Sequence, residues 1–464
     1  MSLGPELGNR CVGCHSEWVL RVAVVGSGPA GVYAAETLVQ HGNVTVDVMD
    51  RLPAPYGLVR YGVAPDHLKI KSITLALRKV LELPEVRFLG NIEVGADLTL
   101  SDLHRHYDAV IFAHGAAVDR RMGVPGEDLP GSFSARELVA WYSGHPDAEL
   151  DRFTLEARSV AVIGMGNVAV DVARVLAKAA DELRGTDLPD HVLDVLDRSR
   201  VTDIHLIGRR GPAQAKFTTK ELRELGELAN ADVLVDPAEL QLDDASEAVI
   251  EAQPAVRRNV EALREWSRRV PAGRARRLHL RFLLRPLAVL GTDRVTGLTV
   301  ERGRLDGTGN AVSTGQRLTI DAQMLLRSVG YRGLPVPGLP FDERTGVVPN
   351  TGGRVLREGV PAPGEYVAGW IKRGPTGVIG TNKGDAKETV AALIEDAPAL
   401  SRAALRDPEA VPALLAERGV DVVVWDGWQA IDAAEQELGR IAGRDRVKIA
   451  DRAELLRVAS RGWT

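Results

Sequence analysis

Arg21-Val22-Ala23-Val24-Val25-Gly26-Ser27-Gly28-Pro29-Ala30-Gly31 decides the fold: a short, β-rich apolar run stops at a glycine, and a helical pattern follows over residues 30 to about 40. A second apolar run, Val44-Thr45-Val46-Asp47-Val48-Met49, ends at Asp50. Gly26, Gly28 and Gly31 complete a G-x-G-x-x-G between strand and helix, with Pro29 and Ala30 inside it. At such a turn the first glycine permits the bend and the second lets backbone approach a pyrophosphate. The third lets helix and strand pack closely, and the helix N-terminus faces the negative charge. Asp50 stands where a carboxylate accepts hydrogen bonds from an adenosine ribose. The stretch predicts a dinucleotide site rather than a merely tight turn.

The pattern recurs. Ser159-Val160-Ala161-Val162-Ile163 leads into Gly164-Met165-Gly166-Asn167-Val168-Ala169, then a helix expected to about residue 183 and a strand Asp203-Ile204-His205-Leu206-Ile207 ending at Gly208. Here the strand end carries Arg209 and Arg210 instead of an acid. A ribose 2′-phosphate is repelled by carboxylate and attracted by the planar guanidinium fork, so this unit is expected to take NADP rather than NAD. Two arginines on a solvated turn are the competing reading.

With 464 residues the chain exceeds the size of one ordinary core, so two domains are expected. Residues 107–115 read as a strand leaving the first unit, and residues 124–131 as a linker. Residues 323–331 read as a similar exit before the Gly/Pro-rich residues 333–340. These are the expected crossings of a domain inserted into another. The last sixty or so residues read as peripheral helices and short strands, with no chemistry in them.

Hydrophobic residues are 45% and charged residues 26% of the chain, and the formal charge is −5, which gives no global case for nucleic acid or a membrane surface. No apolar run approaches the roughly 18 residues of a membrane span. The first twenty residues lack the marks of a signal or transit peptide, so a cytoplasmic location is expected. The two cysteines lie in Cys11-Val12-Gly13-Cys14-His15, the spacing of a c-type haem attachment; a chance match, a redox dithiol or a metal contact are the other readings. No metal site is assigned.

Residues 53–71, Pro-Ala-Pro-Tyr-Gly-Leu-Val-Arg-Tyr-Gly-Val-Ala-Pro-Asp-His-Leu-Lys-Ile-Lys, together with Gly126-Glu127-Asp128-Leu129-Pro130-Gly131 and residues 369–382, Gly-Trp-Ile-Lys-Arg-Gly-Pro-Thr-Gly-Val-Ile-Gly-Thr-Asn, fall in order around both fingerprints. In these blocks the sequence resembles the adrenodoxin-reductase-type ferredoxin–NADP⁺ reductases, from about residue 20 onward. The resemblance implies an α/β protein of two Rossmann-like nucleotide-binding domains. After a tail over 1–19, residues 20–117 and 333–464 would bind FAD, and the inserted residues 118–332 would bind NADP. It implies hydride transfer from NADPH to FAD, then single-electron transfer to an iron–sulfur ferredoxin. FAD would be held by the first fingerprint, Asp50, Leu58, Val94, Trp370 and the Gly377-Val378-Ile379 backbone. NADP(H) would be held by Arg120, Gly166, Asn167, Val168, Arg209, Arg210 and Glu221, with Gly377 near the nicotinamide. His67 and Glu224 would lie beside the reacting rings.

Read without the resemblance, Thr218-x-x-Glu221 is a capping-box spacing, Glu224 is a helical glutamate of the kind usually solvated, and His67 is equally a helix-start residue. Trp370 is either core filler or a ring wall. Arg257, Arg258, Arg264, Arg268, Arg269, Arg274, Arg276, Arg277, Arg281 and Arg285 crowd one segment, either to steer an acidic ferredoxin or as a solvated face. A thioredoxin-type disulfide reductase is disfavoured because both cysteines precede the first strand. A flavin monooxygenase, an electron-entry subunit of a flavoprotein complex and a nucleotide-sensing scaffold stay open. The electron acceptor, the direction of flux and the oligomeric state are not specified by the sequence.

Overall fold

The computed structural model describes residues 19–461, so the Cys11/Cys14 motif lies outside the described residues. Its largest sheet runs, in order, Asn350–Thr351, Arg354–Arg357, Val360–Val367, Ala109–Phe112, Leu20–Val25, Val44–Met49, Val86–Gly90 and Val423–Val424. The five inner strands are parallel, and the strands beyond them pair antiparallel. An inner strand is covered on both faces and so reads as unbroken apolar sequence. Along Leu20–Val25, Val22 and Val24 join a core with Val32 and Leu38, whereas Ala23 and Val25 join another with Leu103 and Phe112. The pleat accounts for that alternation.

A second sheet, Ser132–Ser134, Met324–Arg327, Ser159–Ile163, Asp203–Ile207, Arg276–Arg281 and Ala231–Val235, is parallel throughout. Leu284–Leu290, Gly297–Leu305 and Ala311–Asp321 form an antiparallel sheet beside it. The chain passes between the two large sheets twice, at Val118–Asp119 and Tyr331–Arg332. These passages pair side by side as an antiparallel ribbon. Among the described residues no helix is long and apolar enough to cross a membrane.

Two expectations are corrected. The helix after the second fingerprint is Asn167–Ala177, not a run to residue 183; Lys178 is extended, and a separate turn of helix covers Ala180–Leu183. The Arg276 guanidinium donates to the Leu176 carbonyl at 2.6 Å and also to that of Lys178, satisfying carbonyls that the ended helix leaves open. The C-terminal segment is not peripheral. Val423–Val424 closes the sheet edge, and helix Trp425–Ile441 buries Trp428, Ile431 and Glu435. Glu435 is buried because it accepts from Arg60, Arg446 and the Ile449 amide.

Candidate functional site

The first fingerprint turn is built as its glycines require. Gly26 sits at φ +113°, and a Cβ on it would lie 2.5 Å from the Ala113 carbonyl oxygen; one on Gly31 would lie 1.9 Å from the Gly26 carbonyl oxygen. Gly28, the N-cap of helix Pro29–His41, has open space instead, where a Cβ would meet nothing nearer than 4.0 Å. No side chain caps that helix. A helix start without a side-chain cap is the arrangement that suits an anion. Asp50 accepts from the Ser27 amide at 2.8 Å, the Ser27 hydroxyl at 2.5 Å and the Leu52 amide at 2.9 Å, so the acid also braces the turn.

Two of the residues expected to hold FAD, Leu58 and Trp370, are brought to this turn from distant segments. Gly57 packs so tightly on Gly28 that its Cβ would lie 3.1 Å from the Gly28 Cα, which brings the exposed Leu58 alongside. A Cβ on Gly369 would lie 2.6 Å from that of Ala30, which seats Trp370 next to the fingerprint helix. Trp370 stacks on Tyr331, with ring centroids 6.0 Å apart and planes at 21°, so it is half-buried and not core filler. Val94 belongs to the core under Val25 and Phe112. Gly377 and Val378 are exposed and Ile379 half-buried, just before helix Thr381–Asp396.

In the second turn, a Cβ on Gly164 would lie 2.2 Å from the Ser328 carbonyl oxygen, while one on Gly166 would meet nothing within 4 Å. Asn167, the first residue of the helix, accepts through its Oδ1 from the Thr218 amide at 2.8 Å, and Val168 follows it. Gly208 packs on Met165, placing Arg209 and Arg210 beside the turn, both exposed and without an ion pair among the described interactions. The acid of that strand, Asp203, stands at the opposite end and is paired with Arg277 and His279. Arg120 stands apart, on the crossing, donating to the carbonyls of Tyr331 at 3.3 Å and Thr345 at 3.0 Å.

The two units meet at His67. Its Nε2 lies 2.7 Å from Glu224 Oε2 and 3.4 Å from Glu221 Oε2, and its Nδ1 lies 3.9 Å from Asp171. Helix Thr219–Gly226 supplies both glutamates. The capping box is only half formed: the Thr218 hydroxyl accepts from the Glu221 amide at 3.3 Å, but the Thr218 amide bonds Asn167, which frees the Glu221 carboxylate for the cluster. Burial, then the charges of Asp171 and Glu224, push Glu221 up to about 7 against the pull of His67 and Arg174. Sequence reasoning missed Asp66, Asp171 and Arg174. The signal was present, since Asp66 precedes His67, and Asp171 and Arg174 lie one helical turn apart after the fingerprint. His67, Asp171 and Glu221 offer ligand atoms within 4.8 Å of one another, but Arg174 already holds the cationic position among them.

The crowded arginines are largely committed elsewhere. Arg264, Arg269, Arg277, Arg281 and Arg285 pair with Glu247, Glu265, Asp203, Glu239 and Glu301. Arg274 bonds the Ala231 carbonyl at 3.0 Å, and Arg276 is buried. Arg257, Arg258 and Arg268 are exposed without an ion pair among the described interactions.

Comparison with known proteins agrees with this geometry. Residues 20–209 match the pyridine nucleotide-disulphide oxidoreductase family. The chain is 46% identical over 454 residues to the NADPH-ferredoxin reductase FprA of Mycobacterium tuberculosis, covering 94% of this chain and 98% of that protein. It is 40% identical over 461 residues to the mitochondrial NADPH:adrenodoxin oxidoreductase of Arabidopsis thaliana, covering 95% of each. The solved structure of Mycobacterium tuberculosis FprA in complex with NADPH superposes with a TM-score of 0.89 at 44% identity, covering 95% of this chain and 99% of that one. With two glycine fingerprint turns in units that meet at His67 and relatives of this closeness along nearly its whole length, the chain belongs to the adrenodoxin-reductase-type ferredoxin–NADP⁺ reductase family.

Proposed function

We propose that the protein is an FAD-dependent NADPH–ferredoxin oxidoreductase, taking two electrons from NADPH and passing them singly to an iron–sulfur protein. The observation that carries this is the junction at His67, where a residue of the first nucleotide unit bonds Glu224 of the second at 2.7 Å. The turn at Gly28 would hold one dinucleotide and the turn at Gly166 the other, one in each of the units that meet at this junction. When bound, the flavin supplies the chemistry, because it accepts a hydride and releases electrons one at a time. The protein supplies distance, orientation and charge.

In this reading Gly28 and the helix that Pro29, Ala30 and Gly31 open take the FAD pyrophosphate, and Asp50 takes its ribose. Leu58 and Val94 help hold FAD, and Trp370 with the Gly377-Val378-Ile379 backbone lies near its ring. Gly166, Asn167 and Val168 take the NADP pyrophosphate, Arg209 and Arg210 its 2′-phosphate, and Arg120 and Glu221 line its path. His67 and Glu224 order the meeting point and hold a proton there. Residues 20–117 and 333–464 act as the FAD unit and 118–332 as the NADP unit, in the cytoplasm. Arg257, Arg258 and Arg268 are the guanidinia left to steer an acidic ferredoxin.

The experiment is anaerobic addition of NADPH to the yellow holoprotein, followed by cytochrome c reduction with and without candidate ferredoxins. Bleaching, with turnover strictly dependent on one ferredoxin, is expected. No bleaching removes the reading. A ferredoxin rate that does not fall as salt rises from about 0.05 to 0.5 M removes the arginine steering.

A further inference from the structure

We propose that Arg174 is a positioning residue, one buried guanidinium that fixes the His67 segment and the two facing glutamates relative to each other; this rests on the proposed function for its kinetic consequence only. Arg174 lies on helix Asn167–Ala177, directly after the second fingerprint, and is 1% exposed. Its Nε and Nη2 donate to the two oxygens of Asp66, each at 3.0 Å, the bidentate fork that lysine cannot make. Its Nη1 lies 2.8 Å from Asp171, 3.2 Å from Glu224 and 3.5 Å from Glu221.

Asp66 is the chain neighbour of His67, so the fork clamps the loop that carries the imidazole. The remaining nitrogen clamps the helix that carries Glu221 and Glu224. Lys178 adds a second cation to Asp66 at 2.8 Å. Burial alone pushes the Asp66 carboxyl up, but Arg174 and Lys178 overcome it and hold it well below the usual carboxylate range. With Nε, Nη1 and Nη2 all directed at carboxylates and the side chain shut from solvent, Arg174 is placed to act through others and not to touch a ligand.

Removal of Arg174 leaves Asp171, Glu221 and Glu224 crowding His67; among the described ion pairs the cations that remain are Lys220, 3.6 Å from Glu224, and Lys178, on Asp66. The joint between the units has a separate fastening. Asp187 accepts from Lys71 at 2.6 Å and lies 3.0 Å from Lys448, and Asp190 pairs with Arg444. Loss of Arg174 therefore loosens the joint around His67 while it stays assembled elsewhere. A displacement of about 1 Å at a reacting pair costs on the order of 10²-fold in rate.

The test measures NADP⁺ affinity, stopped-flow flavin reduction and the NMR signals of the His67 ring at one fixed pH, in the holoprotein and its R174M, R174K and D66N variants. In R174M flavin reduction should fall about 10²-fold while NADP⁺ affinity stays within about threefold, and the His67 ring signals should move because the groups around the ring are no longer fixed. R174K should restore only part of the rate, since the charge returns but the fork does not. D66N, which keeps the Arg174 charge and frees the loop, should slow reduction as well. A folded R174M with wild-type rate and wild-type ring signals overturns the proposal; should R174M not fold, a wild-type rate in D66N does so. If NADPH fails to bleach the wild-type protein, the proposed function falls, and the ring signals still decide what Arg174 does.

Discussion

Replacing Arg209 and Arg210 together by alanine should convert a nucleotide site that distinguishes a 2′-phosphate into one that does not. Both guanidinia are exposed, flank the Gly208 turn against Met165, and break no described ion pair when they turn to a ligand. Hydrogen bonds to charged partners contribute about 1.5–3 kcal/mol each, and exposure to solvent and salt puts these two near the lower end. Two at about 1.5 kcal/mol make about 3 kcal/mol, which at 1.4 kcal/mol per decade is roughly 150-fold in affinity. NAD⁺ lacks the phosphate and should lose less than about threefold on the same basis. The assay is titration of the oxidised holoprotein with NADP⁺ and NAD⁺, read from the flavin absorbance at low and high salt. Each single variant should lose about tenfold for NADP⁺ alone. An equal loss for both nucleotides, or a double variant that still prefers NADP⁺ as strongly as wild type, refutes the assignment of this strand end to the 2′-phosphate.

Two other outcomes follow from buried charge. Glu435 accepts from Arg60 at 3.0 Å, Arg446 at 2.9 Å and the Ile449 amide at 3.0 Å, and Arg60 is 6% exposed beside Tyr61 and Trp428. Glu435→Ala strands the Arg60 charge and should cost about 3–5 kcal/mol in denaturant unfolding; a loss under about 1 kcal/mol means that Arg60 finds water instead. Glu221 stands at about 7 against an ordinary 4.5, so the folded state holds its proton more tightly than the unfolded chain. Its contribution therefore makes stability fall as pH rises from about 4.5 through about 7. Glu221→Gln should flatten that part of the stability–pH curve, and an unchanged slope assigns the dependence to other groups.

Most of the frame was legible because it is written in local patterns. The runs read as strands at residues 21–25, 44–49, 159–163 and 203–207 are strands, the first beginning one residue earlier, since an inner parallel strand is built largely of apolar sequence. Gly26 and Gly164 need positive φ and lie against backbone, a demand that their fingerprint spacing announces. The exchange of Asp50 for Arg209 and Arg210 at corresponding strand ends is equally local. Element ends were less legible. Helix Asn167–Ala177 stops where Arg276, a hundred positions on in sequence, takes the Leu176 carbonyl. The C-terminal helix read as peripheral because the acid it buries, Glu435, looks solvent-facing until Arg60 is known to meet it.

By itself the sequence determined two nucleotide turns, their order and their unlike charge, because each depends on residues within one βαβ unit. Only the tertiary structure decided what lies where they meet. His67 and Glu224 are 157 positions apart, and Asp66 and Arg174 are 108 apart. No periodicity links residues so far separated. Their pairing is set by the antiparallel ribbon at Val118–Asp119 and Tyr331–Arg332, which returns the inserted unit against the first, and by burial that draws these groups into one shared cluster.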